Sequence, residues 1–220
     1  MISFVNVSKF YDYHTVLRSV SFTVQKGEMV FITGPSGAGK STLLKLIYRD
    51  EEADEGEIRV GNFTVTSIRP SDIPHLRRNI GIVFQDFKLL RNLTAYDNVA
   101  IALRIRGIGE REIRQRVSEA LKRVNLRHVA DSNPKALSGG EQQRIAIARA
   151  IVAEPQVILA DEPTGNLDPN TAIDIMNLLR EINLNGSTII VATHNRELFR
   201  GTGKRVLSID SNRIIKEEQG

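Results

Sequence analysis

The chain has 220 residues, 41% of them hydrophobic and 25% charged, with 30 basic against 26 acidic side chains for a net charge of +4, and no cysteine. That length makes one well-buried domain with at most a smaller appended lobe, and the composition is that of an ordinary folded protein. Disulfides, thiolate metal sites and cysteine nucleophiles are excluded. With no basic-then-apolar leader and no run of about 18 apolar residues, the chain is expected to be neither exported nor membrane-spanning.

In chain order, the alternating segments between Ile2 and about Val24 read as strands of a small antiparallel sheet, separated by a polar-aromatic loop over Lys9–His14. An exposed aromatic there offers a face on which a base can stack. The apolar run Met29-Val30-Phe31-Ile32 then leads into Gly34-Pro35-Ser36-Gly37-Ala38-Gly39-Lys40-Ser41-Thr42. This is G-x-x-x-x-G-K followed by Ser or Thr, placed between a strand and a helix as a phosphate-binding loop must be. Its glycines let consecutive backbone N–H groups turn around an anion, and the helix behind adds its positive end. Lys40 brings a point charge to the β- and γ-phosphates, and the Ser41 hydroxyl is a Mg²⁺ ligand.

The acidic run Asp50–Gly56 reads as a solvated connection, and 57–65 as a hairpin turning at Gly61. Pro70 and Pro74 punctuate the passage to the strand Ile80–Phe84, which ends at Gln85. Phe87, Leu89, Leu90 and Leu93 then lie in polar surroundings without a period, as a buried loop or a docking surface would. Helices follow from Thr94, its predicted N-cap, and over about 110–124. The consecutive helices interrupt the β/α alternation and set off a helical lobe over 86–137, which the next helix extends to 154. Arg104, Arg106, Arg111, Arg114 and Arg116 gather here; such a cluster can lean on anionic lipid headgroups or nucleic acid, but the interspersed Glu110, Glu112 and Glu119 favour a solvated helical face.

Leu137-Ser138-Gly139-Gly140-Glu141 opens another helix, with Ser138 and Glu141 spaced as a capping box. The same atoms make a second anion site, which a chain with one P-loop does not obviously need. The apolar strand Val157–Ala160 runs into Asp161-Glu162, carboxylates at the end of a buried parallel strand, where open α/β sheets bind ligands. Asp161 suits Mg²⁺, and Glu162 suits orienting and deprotonating water. A turn-rich loop with Asp168, a helix over about 170–183 and a buried strand 188–193 lead to His194. A neutral imidazole at that strand end would donate to a γ-phosphate or the attacking water. His14, His75 and His128 read as surface residues. A hairpin across Ser211-Asn212 closes the chain.

Taken in order, the P-loop, Gln85, the Leu-Ser-Gly-Gly-Glu run, Asp161-Glu162, Asp168 and His194 resemble the nucleotide-binding domain of ABC-type ATPases over essentially the whole chain. The resemblance implies an α/β P-loop fold with a mixed central sheet, an antiparallel β subdomain and an inserted α-helical subdomain. The core would comprise 1–85 and 155–220, and the helical part 86–154. It implies ATP and Mg²⁺ as ligands, and a head-to-tail homodimer in which each ATP lies between one P-loop (34–42) and the other chain's Ser138, Gly139, Gly140 and Glu141. Tyr11 would stack on adenine, and Gln85 would touch Mg²⁺ and water. Ser41 and Asp161 would hold the metal, Asp168 would cross the interface, and Lys40, Glu162 and His194 would serve hydrolysis.

A narrower likeness, carried by 76–86, 96–101 and 161–168, is to the cell-division branch of the family. That likeness implies an FtsX-like integral membrane partner docking near Gln85–Leu93, other divisome components, regulation of peptidoglycan hydrolysis, and a peripheral place on the cytoplasmic face of the bacterial inner membrane. Lipoprotein-release and macrolide-efflux relatives share the last of those stretches and are the alternative. A nucleic-acid or ribosome-associated ATPase is a distant third, since such proteins carry a second P-loop or a coiled-coil insertion, and no nucleic acid is expected as a partner.

Overall fold

In a computed structural model that describes residues 1–12 and 14–220, with the side chains of Ile215 and Lys216 left aside, two sheets carry the chain. Strands β1 (Ile2–Tyr11), β2 (His14–Val24), β4 (Glu55–Val60) and β5 (Phe63–Thr64) form an antiparallel sheet in the order β2-β1-β4-β5. The central sheet runs β10-β9-β3-β8-β7-β6 through β3 (Met29–Thr33), β6 (Ile80–Val83), β7 (Val157–Asp161), β8 (Thr188–Ala192), β9 (Arg205–Asp210) and β10 (Arg213–Gln219). All its pairs are parallel except the β9–β10 hairpin, so the sheet is mixed.

The continuous apolar runs of β3, β7 and β8 follow from burial on both faces. Val30, Ile32, Leu159 and Ile190 face one core, packed with α1 (Lys40–Ile47) and the antiparallel sheet. Met29, Phe31, Ile158 and Val191 face the other, packed with α3 (Ala95–Arg104), α4 (Glu110–Arg123), α5 (Gly139–Ile151) and α6 (Pro169–Leu184). The P-loop lies between β3 and α1, so the phosphate site is held by a strand and a helix that are each buried. Among the described residues, no helix is long and apolar enough to cross a membrane.

Four local expectations change. The polar-aromatic loop shrinks, because Lys9–Tyr11 continue β1 and His14 begins β2, while Tyr13 lies outside the described residues. Residues after Pro70 form a helix, α2 (Ile73–Arg78), because Pro74 occupies its first turn, where a missing N–H costs nothing. The second strand of the 57–65 hairpin is only Phe63–Thr64, and Val65 starts a 3-10 turn. The acidic run is not merely solvated. Glu51 and Asp54 lie 4.0 and 3.6 Å from the buried ammonium of Lys9, Lys45 reaches Glu51 at 3.9 Å, and Asp54 accepts the Phe10 N–H at 2.7 Å.

Of the basic cluster, Arg104 sits between Asp97 and Glu110 at 2.9 and 3.2 Å and Arg116 pairs with Glu112, as a solvated face requires. Arg106 instead turns inward and donates to the carbonyls of Ala153 and Arg78.

Candidate nucleotide site

The P-loop's geometry is fixed at Gly39, which caps α1 without a side-chain hydrogen bond. Its φ is +95°, and a Cβ there would lie 2.9 Å from the Val16 carbonyl oxygen and 3.0 Å from the Leu17 side chain. Only glycine satisfies both constraints. The next residue, Lys40, is 7% exposed and folds its ammonium back over the loop, donating to the carbonyls of Gly34 and Pro35 at 2.9 and 3.0 Å. Its Nζ is 3.9 Å from Glu162 Oε1.

The Ser41 hydroxyl donates to Asp161 Oδ1 at 3.0 Å. Burial at the end of β7 pushes the Asp161 carboxyl above its ordinary value, and the Ser41 hydrogen bond opposes that rise. Two hard oxygen donors side by side suit Mg²⁺, which keeps most of its shell from phosphate and water and takes one or two ligands from protein. Among the described residues there is no group of three or more carboxylate, His or Cys side chains that could hold a metal.

Glu162 begins the turn after β7 with φ +44°, a left-handed conformation costly for a residue with a side chain and held here by its N–H bond to the Ala192 carbonyl. The carboxylate, 13% exposed, accepts the His194 backbone N–H at 3.1 Å and lies 2.7 Å from His194 Nδ1. His194 stands two residues past the end of β8, with its ring mostly exposed. Gln85, beyond β6, exchanges two bonds with Asn166: its carbonyl accepts from Asn166 Nδ2 at 3.0 Å, and its Nε2 donates to Asn166 Oδ1 at 3.4 Å. Pro35, Ser36, Gly37 and Gly39–Thr42 line one cleft of about 670 Å³ together with Val16, Gln85, Glu162 and His194.

Other expected residues stand outside that cleft. Tyr11 ends β1, is 38% exposed, and has Lys9 Nζ 4.9 Å from its ring centre. Desolvation and then Glu51 push its phenol up, and the nearby Thr42 hydroxyl opposes that rise. Ser138, Gly139, Gly140 and Glu141 do not line the cleft. They open α5 with the expected capping box: the Ser138 N–H and hydroxyl donate to Glu141 Oε2 at 2.8 and 2.7 Å, and the Glu141 N–H donates to Ser138 Oγ at 3.3 Å. Asp168 caps α6, accepting from the N–H groups of Asn170 and Thr171 at 3.1 Å each.

Sequence reasoning missed Asn166, which clamps Gln85, and Lys9 with Glu51, which hold Tyr11. It also missed Gln143, buried on α5 with its Nε2 donating to the Pro163 carbonyl at 2.6 Å. A glutamine amid Ile145, Ala146, Ile147 and Ala148 was the available signal for that last contact.

A P-loop on a mostly parallel sheet, a strand ending in Asp-Glu and a separate capped Leu-Ser-Gly-Gly-Glu helix define the nucleotide-binding cassette of an ABC system, and the ABC transporter family model matches residues 17–165. The chain belongs to that family and is an ABC-type ATPase. Within it, the chain is 50% identical over 212 residues to the cell division ATP-binding protein FtsE of Streptococcus pneumoniae, covering 96% of this chain and 92% of that one. It is 47% identical over 215 residues to the FtsE of Escherichia coli, covering 97% of each. Among solved structures, it resembles the ATP-binding cassette MJ0796, described as dimeric in a post-hydrolysis state bound to ADP and Pi. The TM-score is 0.90 with 38% identity, covering 100% of this chain and 98% of that chain.

Proposed function

We propose that two copies of this chain close head to tail over two MgATP, hydrolyse them, and drive an FtsX-like integral membrane partner that regulates peptidoglycan hydrolysis in cell division. The observation that carries this reading is the separation within one chain of two anion-binding ends. The cleft holds the P-loop, Gln85, Glu162 and His194, while the α5 end at Ser138 presents its N-terminus elsewhere. Each would complete the other's site across a two-fold axis, and the dimeric MJ0796 cassette supports that arrangement.

In this reading 1–85 with 155–220 is the catalytic core and β subdomain, and 86–154 the helical subdomain. Residues 34–42 bind the triphosphate, Lys40 contacts the β- and γ-oxygens, and Tyr11 stacks on the adenine. Ser41 and Asp161, with Gln85, hold Mg²⁺, which would neutralise charge developing on the transferred phosphoryl group. Glu162 takes the proton of the attacking water, His194 and Gln85 orient that water, and Ser138–Glu141 and Asp168 of the facing copy close the pocket. The Ser138 hydroxyl, which donates to Glu141 in the single chain, turns to the phosphate.

The partner's cytoplasmic segment docks beside 85–93 rather than on its apolar residues, since Phe87 is half-buried, Leu89 packs on the core and only Leu90 is well exposed. A groove of about 460 Å³ between α2, β6, α3 and α5 has an apolar floor at Ile82 and Phe84 and a rim at Ile105, 72% exposed. Its charged lining is all basic: Arg77, Arg78, Lys88, Arg106 and Arg149. Burial pulls the Arg106 and Arg149 guanidinium groups below their ordinary values, and both donate to carbonyls rather than carboxylates. An apolar helix carrying carboxylates complements that groove. The chain would thus lie peripherally on the cytoplasmic face of the inner membrane, near the division site.

The test is oligomeric state. Glu162→Gln with ATP and Mg²⁺ should elute as a dimer on size exclusion, and adding Ser138→Arg should return it to monomer; a Ser138→Arg protein that hydrolyses ATP normally defeats the shared pocket. For the partner, a four-span protein with a large outer loop should co-purify from detergent-solubilised membranes. A lipoprotein-release or efflux permease in its place would move the chain to that branch.

A further inference from the structure

Gln143 is fully buried, yet only half of its amide is used. Its Nε2 donates to the Pro163 carbonyl at 2.6 Å, while Oε1 has no hydrogen-bond partner among the described residues. A buried amide oxygen left unpaired is unfavourable, and an apolar side chain of similar volume would pack there without that penalty. The donated bond therefore marks what the glutamine does.

It fastens α5 to the residue directly after Glu162. The backbone of that turn is otherwise tied by the Glu162 N–H to Ala192 and the Gly165 N–H to the Glu162 carbonyl at 3.0 Å, and its side chains reach His194 from Glu162 and Gln85 from Asn166. Among the described residues, the Gln143 bond is thus the one from α5 to the residue after Glu162. Toward its N-terminus α5 presses on the same segment further along. A Cβ on Gly139 would touch Leu167 of that loop at 3.4 Å, and one on Gly140 would collide with Thr171, in the first turn of α6 that the loop leads into, at 2.7 Å. The helix opened by Ser138 and the loop carrying Glu162 are thus joined at both ends.

We propose that Gln143 is a positioning residue that sets the Glu162 carboxylate according to the state of the Ser138 end of the same chain. A nucleotide engaged by Ser138 belongs to one pocket and Glu162 to the other, so the Gln143–Pro163 bond couples the two hydrolytic pockets of the dimer. This rests on the composite-site reading above. A bond that merely fills the core would influence stability and nothing else.

The experiment compares Gln143→Met and the milder Gln143→Asn, too short to reach Pro163, with the unaltered protein. It reads steady-state ATPase per folded molecule, its Hill coefficient in ATP, and thermal melting, with Ser138→Arg assayed alongside. The unaltered protein should be cooperative. Both Gln143 variants should lose about tenfold or more in kcat with KM for ATP changed less than about twofold, and their Hill coefficients should fall toward one. A variant with unchanged kcat and Hill coefficient and only a lower melting temperature overturns the coupling, as does an unaltered protein with a Hill coefficient of one. If Ser138→Arg stops hydrolysis while the Gln143 variants behave normally, only this inference falls; if Ser138→Arg hydrolyses normally, the composite-site reading falls with it.

Discussion

Glu162 Oε1 and His194 Nδ1 stand 2.7 Å apart, so a carboxylate there requires the ring to carry its proton on Nδ1. A neutral imidazole in that tautomer offers only a lone pair at Nε2. The expected donation from a neutral His194 to a γ-phosphate is therefore unavailable while this bond lasts, and a ring contacting phosphate through Nε2 must be cationic or must release Glu162. His194→Ala should cut kcat by about 10- to 100-fold with little change in ATP affinity, measured by phosphate release and nucleotide titration. Glu162→Gln should cost about 100-fold or more, as loss of a general base does.

Lys40→Ala removes the ammonium that bridges Gly34 and Pro35 as well as the phosphate contact. Nucleotide binding itself should disappear, with no fluorescence change on titrating a fluorescent ATP analogue. Retained affinity with slow turnover would instead restrict Lys40 to the chemical step.

The groove and the 87–93 segment make different predictions for the membrane partner. If the proposed partner docks in the groove, Ile105→Asp should release the protein from membranes containing it, because the variant places a carboxylate on the apolar rim where the proposed occupant's carboxylates would approach. Leu90→Asp should be tolerated. ATP hydrolysis by the isolated protein should be unchanged in both, and co-sedimentation with partner-containing vesicles decides between them.

Asn98 is completely buried and holds the 90–94 loop from four sides. Its Oδ1 accepts the Leu90 N–H at 2.7 Å, and its Nδ2 donates to the carbonyls of Leu90, Leu93 and Thr94 at 3.0, 3.4 and 2.9 Å. Asn98→Leu takes the side-chain partner from the Leu90 N–H and the Leu93 carbonyl, while the Leu90 and Thr94 carbonyls keep their bonds from the Leu93 and Asn98 N–H groups, and should destabilise by about 2 kcal/mol in urea denaturation.

The capping box gives a pH signature. Hydrogen bonds from the Ser138 hydroxyl and then its backbone N–H hold the Glu141 carboxyl below its ordinary value of 4.5. A depressed folded value means the carboxylate's contribution is fully present above 4.5 and is lost as pH falls through the lower folded value. Melting of the unaltered protein and Glu141→Gln should therefore differ at pH 7 and converge as pH falls from 4.5 through the lowered folded value. A constant difference across that range would remove ionisation as the cause.

What could be read beforehand was whatever short-range chemistry dictates. The Gly-rich loop, the apolar runs of β3, β7 and β8 and the Ser138–Glu141 spacing each need only a few neighbouring residues to make their case. α2 escaped because Pro70 and Pro74 read as breakers, although Pro74 sits in a first turn. Gln143 escaped because a polar residue on a helix is counted as outward. The acidic run escaped because its partner, Lys9, is more than 40 residues away in the chain. The basic groove is assembled from 77, 105 and 149, which no local window contains.

The Lys40 ammonium has three protons, and two of them already hold Gly34 and Pro35. The loop is thereby kept in shape before any triphosphate arrives, with one donor left to offer it. Little ordering entropy then opposes capture of the nucleotide. Association should proceed in a single fast phase, leaving the slow step of the cycle to the meeting of the two subunits.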